Sequence, residues 1–225
     1  MHNLKNKTVL IFGGGKYGTK AVKFAKKKNA KSAFVVDRNP FCQARKFLSD
    51  QEFLLLGKHS ILNLMMKLKP DFIIPAMPGH TIGRLCKETF NLRPFPESLP
   101  IVMKYLPQSL ITRKDRATST LVLSYMPREK TCREDCIPPD GYCRLTKEPR
   151  PASTCALLNY AIFRKFGLSK IFVSEQVSAG LGGIRTEIII EFLNKVKKEL
   201  PQTLAIGTAC QCHGILNLFK MPAPD

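Results

Sequence analysis

The chain has 225 residues, 44% of them hydrophobic, which supports one large α/β domain or two small ones and excludes a disordered chain. No stretch reaches the roughly 18 uninterrupted apolar residues that a membrane helix needs. The formal net charge is +19, and no acidic residue precedes Asp37. Such a positive end attracts polyanions and phosphorylated cofactors. It lacks the aromatic and arginine clusters of a nucleic-acid groove, so nucleic acid is the less favoured partner.

The N-terminal apolar run, Thr8 to Phe12, stops at three glycines and is too short for the core of a signal peptide. We therefore expect an unexported, cytoplasmic protein without a membrane span. Its eight cysteines should then be reduced. Reduced cysteines are better interpreted as metal ligands, catalytic thiols or buried packing residues than as disulfides.

The first third of the chain alternates predicted strands and helices. The strands run from Lys7 to Phe12, Ser32 to Asp37 and Asp71 to Ala76, and the helices from Lys16 to Lys28, Asn39 to Leu48 and Ile61 to Leu68. This order predicts right-handed crossovers and a Rossmann-like parallel sheet. Proline-punctuated sequence between Phe90 and Pro107 indicates a boundary. We therefore predict a first domain at 1–107 and a second at 108–225.

The second half is also predicted to be α/β. Its predicted strands run from Thr118 to Tyr125, Lys170 to Val177 and Thr203 to Ile206, and its helices from Ala152 to Phe166, Arg185 to Leu200 and, last, through Leu218. A glycine-rich turn is predicted at residues 180–183, between the second of these strands and the second helix. Between Met126 and Pro151 there is almost no apolar periodicity, but there are three cysteines. The predicted architecture is a Rossmann-like domain joined to a second, smaller α/β domain that contains this cysteine-rich loop.

A glycine-rich motif follows the first predicted strand and precedes the first helix. Gly13, Gly15 and Gly18 fit the pattern G-x-G-x-x-G. The first glycine permits a tight turn, the second lets the backbone approach a pyrophosphate, and the third lets the helix pack close to the strand. The helix N-terminus, with Lys16 and Tyr17, presents N–H groups and its positive dipole end to phosphates.

An acidic residue at the end of the next strand supports dinucleotide binding. Asp37 lies about twenty residues beyond the motif, where a carboxylate accepts hydrogen bonds from the ribose hydroxyls of NAD. Arg38 follows at once and could hold the 2′-phosphate of NADP. The sequence predicts NAD or NADP and leaves the choice between them open.

The stretch from Thr8 through Asp37 resembles the opening of the Rossmann NAD(P)-binding superfamily. That superfamily includes the regulatory nucleotide-binding domains of potassium channels and the dehydrogenase of sirohaem synthesis, which also carries a triple glycine. The resemblance covers about the first ninety residues. It implies that Gly13, Gly15 and Gly18 face the pyrophosphate and that Asp37 faces the ribose.

Four cysteines fall in or beside the segment that lacks a core pattern, namely Cys132, Cys136, Cys143 and Cys155. Metal coordination can order a segment that has little apolar surface to bury. The paired C-x-x-C knuckles of zinc ribbons are missing here, and irregular spacing suits an iron–sulfur cluster somewhat better. We predict an iron–sulfur cluster, with zinc and unligated thiols as alternatives.

Cys210, Cys212 and His213 form a second group, predicted between a strand and a helix. A helix N-terminus lowers the pKa of a thiol and makes it a better ligand. We predict Cys210 and Cys212 as metal ligands, in the first site or in one of their own, with packing beneath a turn as the alternative. Cys42 and Cys86 stand alone, and core packing is expected for them.

Together these features predict an NAD(P)-binding redox protein that transfers electrons between a nicotinamide cofactor and a cluster or small substrate. An NAD(P)-dependent oxidoreductase fits, although no acid–base residue is convincingly placed for catalysis. The alternative is a non-catalytic, dinucleotide-sensing regulatory module. A redox or regulatory partner protein is expected in either case, and a nucleic-acid-binding protein is the third possibility.

Overall fold

The computed structural model describes residues 4–57, 60–126, 136–137 and 141–222. The fold is mixed α/β, and no helix in these ranges is long and apolar enough to cross a membrane. The main elements in chain order are β1 (Thr8–Phe12), α1 (Lys16–Lys27), β2 (Ser32–Asp37), β3 (Phe53–Leu55), α2 (Ile61–Leu68), β4 (Phe72–Pro75), α3 (Thr81–Phe90), β5 (Arg93–Pro94), α4 (Leu99–Met103), β6 (Ile111–Asp115), β7 (Thr120–Ser124), α5 (Thr154–Ile162), β8 (Leu168–Val173), β9 (Glu175–Ser178), β10 (Leu181–Arg185), α6 (Thr186–Glu199), β11 (Thr203–Ala209) and β12 (His213–Lys220).

The chain divides into two compact units that differ from the predicted domains. The first comprises Met1–Thr81 and Glu175–Glu191, and the second comprises Ile82–Ser174 and Phe192–Asp225. The predicted boundary after residue 107 thus falls inside the second unit, which is the larger of the two. The prolines that indicated a linker lie instead in β5, which pairs with β12, and at the start of α4, which packs into the second core.

The first unit is built on a six-stranded mixed sheet in the order β3-β2-β1-β4-β10-β9. The four strands from β3 to β4 are parallel, as predicted. The sheet is not purely parallel, because β10 runs antiparallel to both β4 and β9. Gly180, with a φ of +67°, lies in the turn between β9 and β10 and provides the left-handed conformation. The predicted turn at Gly182 and Gly183 is therefore wrong, since both lie within β10.

The core of the first unit follows from two sequence patterns. The last four residues of β1 are completely buried, as expected of a central strand with both faces covered. Helix α1 buries Ala21, Val22 and Ala25 on one face, while lysines line the opposite face. The central strand and this helix fix the position of the glycine-rich turn between them.

Asp71, just before β4, makes the stability of the first unit depend on pH. Its carboxylate accepts hydrogen bonds from Lys7 Nζ and from the Thr8 N–H, both at 2.8 Å. Burial acts to raise the pKa of this carboxyl, but the two donors outweigh it and lower the pKa below its ordinary value. A carboxyl with a lowered folded-state pKa stabilises the fold above its unfolded pKa, and this contribution is lost as the pH falls through the folded pKa.

We therefore expect Asp71→Asn to lower the Tm at neutral pH. The difference in Tm from wild type should shrink as the pH falls from about 4, the ordinary pKa of an aspartate, through the lowered pKa of the folded state. Thermal unfolding followed from acidic to neutral pH measures this directly. A difference that stays constant over the whole range would contradict the assignment.

The second unit is built on the sheet β6-β7-β12-β11-β8, in which only the β11–β8 pair is parallel. Helix α5 contacts three of its strands, β8, β11 and β12. The predicted last helix is wrong, because that segment is the strand β12. It pairs with all of β11, and Ala209 faces Gly214 at one end of the pairing while Thr203 faces Lys220 at the other. Leu216 and Leu218 are completely buried at alternate positions of this strand.

Candidate functional site

The glycine-rich turn lies between β1 and α1, as the sequence predicts. Gly13 has a φ of +103°, and a Cβ there would lie 2.7 Å from the carbonyl oxygen of Ala76. A Cβ on Gly18 would collide with the carbonyl oxygen of Gly13. The first and third glycines are therefore required by the close approach of the backbone in this turn and in the first turn of α1.

The second glycine of the motif, unlike the first and third, has free space around it. Gly15 is exposed and forms the N-cap of α1 without any side-chain cap. No heavy atom outside residues 14–16 lies within 4 Å of a Cβ built on it. Lys16 and Tyr17 follow it in the first turn of the helix, and both are exposed. The packing of the protein does not require glycine at position 15.

The structure brings Asp37 to the glycine-rich turn. Its carboxylate accepts a hydrogen bond from the Gly14 N–H at 2.5 Å and a second from the Asn39 N–H at 2.8 Å. A carboxylate offers about four lone-pair sites, so acceptor capacity remains beside the turn. The neighbouring Arg38 is exposed.

A segment beyond Asp37 closes over the turn in a way that the sequence did not reveal. The Ala44 N–H donates to the Gly14 carbonyl at 2.8 Å, and any side chain at position 14 would collide with Cys42 Sγ. Burial and the Asp37 carboxylate raise the pKa of the Cys42 thiol. Cys42 therefore packs as a neutral core residue, as expected, and so does fully buried Cys86, whose pKa burial raises to about 12.

In the second unit the cysteines of two sequence groups converge. Cys210 and Cys212 lie in the short turn between β11 and β12, and Cys155 is the second residue of α5. Thr154 ties these elements together, because its hydroxyl donates to the Cys210 carbonyl at 2.9 Å and its N–H donates to the Gln211 carbonyl at 3.1 Å. The first turn of α5 is thereby fixed against the β11–β12 turn.

The Cys210 thiol is the member of this group that is best prepared to ionise. Its sulfur accepts the N–H groups of Cys212 and His213, both at 3.4 Å, and lies 3.9 Å from His213 Nδ1. Burial acts to raise the pKa of Cys210, but His213 and these N–H donors outweigh it and lower the pKa. A thiolate is the form that ligates metals.

The neighbouring thiols lie close enough to oppose one another's ionisation. Burial is the main reason that the pKa values of Cys155 and Cys212 are raised, and the Cys210 thiolate raises both further. The Cys136 thiolate also raises the pKa of Cys212. Four sulfur atoms, from Cys136, Cys155, Cys210 and Cys212, therefore form one interacting group, which we call the thiol cluster.

A buried arginine that the sequence did not single out lies beside the thiol cluster. Arg150 is only 3% exposed, and its guanidinium donates a hydrogen bond to Cys212 Sγ. Burial acts to raise the pKa of Cys143, but hydrogen bonds from Thr146 outweigh it and lower the pKa. The Arg150 guanidinium lowers this pKa further by stabilising the thiolate. Cys143 is thus linked to the cluster through Arg150.

The structure describes five of the six cysteines that the sequence predicts as metal ligands. Cys132 lies outside the described residues. Among the residues that are described, no three histidine, cysteine or acidic side chains are spaced to hold a metal ion. The predicted helix N-terminus at Cys210 and Cys212 is wrong, because a strand follows them. The thiol at a helix N-terminus is instead Cys155.

The fold and these sites define a two-unit, mixed α/β protein with a glycine-rich turn in one unit and a thiol cluster in the other. The chain matches the AF_1314 family, over residues 9–81 to a model described as "Uncharacterized protein, N-terminal domain" and over residues 82–222 to one described as "Uncharacterized protein, C-terminal domain". The chain belongs to this family. Its division at residue 81 coincides with the end of the main segment of the first unit.

A protein of Archaeoglobus fulgidus, described as "Uncharacterized protein", is 30% identical over 222 residues. The alignment covers 94% of this chain and 98% of that relative. The similarity therefore extends over both units. No solved structure matches the chain.

Proposed function

We propose that this chain is an NAD(P)-binding redox protein whose second unit holds a cysteine-ligated iron–sulfur cluster or, alternatively, a zinc ion. The observation that carries the proposal is the thiol cluster, which unites cysteines from α5, the β11–β12 turn and position 136. Packing alone does not require four interacting thiols, one of which accepts a hydrogen bond from a buried arginine. Soft thiolate donors are the ligands that zinc and iron–sulfur clusters select.

The strand order of the first unit supports a dinucleotide site. In the order β3-β2-β1-β4, the chain moves across the sheet in one direction from β1 to β2 and β3, and it then returns to place β4 on the other side of β1. The strand order therefore reverses between β1 and β4. Open α/β sheets bind ligands at such a reversal, outside the carboxyl ends of the strands. The glycine-rich turn follows the carboxyl end of β1 directly, and Asp37 ends the neighbouring β2.

The residues of the turn fit a pyrophosphate. Gly15 leaves open space where a side chain would otherwise stand, and it begins a 12-residue helix whose N-terminus favours anions. The carboxylate of Asp37 retains acceptor capacity for ribose hydroxyls. A nicotinamide cofactor, when bound, supplies hydride chemistry, and these residues hold and orient it.

The residues of the thiol cluster fit an iron–sulfur cluster or zinc by the chemistry of their donors. Thiolates repel one another, and the positively charged guanidinium of Arg150 donates a hydrogen bond to Cys212 Sγ, while His213 Nδ1 lies 3.9 Å from Cys210 Sγ. The N–H groups that point at Cys210 Sγ act in the same direction. These residues would reduce the electrostatic repulsion between thiolates that bind the same metal centre.

The choice between NAD and NADP is predicted to depend on two neighbouring side chains. A carboxylate repels a 2′-phosphate and a guanidinium attracts it. Arg38→Ala should therefore shift the preference toward NAD, and Asp37→Ala should shift it toward NADP. Titration calorimetry with both dinucleotides measures the ratio of affinities. Arg38 is exposed and is the cleaner test, because Asp37 also holds the Gly14 and Asn39 N–H groups.

Electron transfer is tested with protein prepared without oxygen. We expect steady consumption of NADH or NADPH in the presence of an artificial electron acceptor. Consumption should be lost in Gly15→Val and in Cys210→Ser, each of which affects one of the two sites. Dinucleotide binding without turnover would replace the redox proposal by the regulatory module, and absence of binding would contradict both.

A further inference from the structure

The second unit exposes a group of large side chains on α4 and α5 and just beyond the ends of these helices. Tyr160 is 66% exposed, Phe163 63% and Ile101 51%, and Tyr105 is also exposed. The rings of Tyr105 and Tyr160 meet edge to face, with centroids 6.2 Å apart. We call these four residues and their two basic neighbours, Arg164 and Lys165, the aromatic face. Large apolar side chains that are exposed close to one another often mark an interaction site.

Cations are interleaved with these rings. Lys165 Nζ lies 3.9 Å from the centroid of the Tyr105 ring, and the Arg164 guanidinium lies 5.2 Å from that of Phe163. Exposed Lys104 immediately precedes Tyr105. Within the described part of the chain none of these three cations forms an ion pair with a carboxylate, so their charge is not neutralised locally.

The sequence around the aromatic face is free of acidic residues. Neither residues 98–114 nor residues 149–174 contain any aspartate or glutamate, although together they contain seven lysines and arginines. The whole chain has a net charge of +19. The expected ligand is therefore a polyanion. It should also have flat, apolar groups that can pack against the exposed aromatic rings.

We propose that the aromatic face binds single-stranded nucleic acid, with bases stacking on Tyr160 and Phe163 and phosphates contacting Lys104, Arg164 and Lys165. Single-stranded nucleic acid combines negative charge with unpaired bases whose faces are free to stack. The inference is independent of the redox proposal, because it uses no residue of the glycine-rich turn or of the thiol cluster. Aromatic residues distant in sequence form this face, which is why the sequence alone did not reveal it.

Fluorescence polarisation of a labelled oligothymidine of about 12 nucleotides tests the proposal on the full chain. Tyr160→Ala and Phe163→Ala should each weaken binding roughly tenfold or more, since base stacking on one aromatic ring has that magnitude. Both side chains are largely exposed, so the variants should fold. Phe41→Ala is the matched control, because Phe41 is 88% exposed but lies in the first unit, and it should bind as wild type does.

Two further measurements distinguish other ligands. Binding should weaken steeply with salt, and Arg164→Ala should reduce that salt dependence. A duplex of the same length hides the base faces and should bind more weakly than the single strand. Equal binding of duplex and single strand, equal competition by polyglutamate, or unchanged binding in both aromatic variants would overturn the proposal.

Discussion

Cys210→Ser should remove most of the metal from protein purified without oxygen. The wild type is expected to contain iron and sulfide, with broad absorbance near about 400 nm, or stoichiometric zinc without colour. Cys210 has the largest expected effect because its thiol pKa is lowered and because Cys155 and Cys212 both interact with it. Metal analysis and an absorption spectrum measure the loss.

The stability of the Cys210→Ser variant should also fall, because metal-binding free energy contributes directly to folding. Cys86→Ala is the matched control. It removes a fully buried thiol of the same unit and should lower the Tm modestly by leaving a small cavity, without any loss of metal. Wild-type protein that contains no metal after anaerobic preparation would contradict the assignment.

Cys143→Ser separates the ligand set predicted from sequence from the thiol cluster that we propose as the ligand set. The sequence grouped Cys143 with Cys132, Cys136 and Cys155 because they are near one another in the chain. In the structure Cys143 is linked to the thiol cluster through Arg150. We therefore expect Cys143→Ser to retain more metal than Cys210→Ser, and the reverse order would favour the sequence-based set.

Local pattern predicted β1, α1, β2, α2 and β4 of the first unit well, but it did not predict β3 or β10. The bounds of β2 and α2 agree with the prediction, because a short apolar run between turn signals and a periodic eight-residue segment are both local features. The glycine-rich turn was also predicted, since its conformation is determined by the glycines themselves. These elements need no information about distant partners.

Elements whose structure depends on distant partners were misjudged. The apolar residues of β12 were interpreted as a helix, yet the segment is a strand because β7 and β11 pair with it on either side. The glycines of β10 were interpreted as a turn for the same reason. Short apolar or glycine-rich segments adopt the conformation that their neighbours in the sheet impose.

The thiol cluster shows the same limit at the level of a site. The sequence predicts Cys210 and Cys212 as metal ligands, but it leaves open whether they share a site with Cys155. The two elements are joined by the Thr154 hydroxyl and the Cys210 carbonyl, which are 56 residues apart in the chain. Arg150 could not be singled out either, because an arginine in a polar loop is ordinarily exposed.

The second large effect is expected at the glycine-rich turn. Gly15→Val should abolish measurable binding of NAD and NADP while leaving the protein folded. No heavy atom outside residues 14–16 lies within 4 Å of the position that a Cβ would take, and the φ of −73° suits any residue. The added side chain would instead occupy the space that a pyrophosphate needs. Titration calorimetry measures binding, and thermal unfolding checks the fold.

Gly18→Ala is the opposite case, because its methyl group would collide with the Gly13 carbonyl oxygen whether or not a ligand is bound. We expect this variant to lose about 1–3 kcal/mol of stability through overpacking. Gly15→Ser would add a side-chain cap to α1, and its side chain is smaller than that of valine. We expect this variant to bind dinucleotide with an affinity between those of wild type and Gly15→Val. If Gly15→Val binds as tightly as wild type, position 15 faces solvent only, and the glycine-rich turn serves the packing of α1 on β1 rather than a dinucleotide.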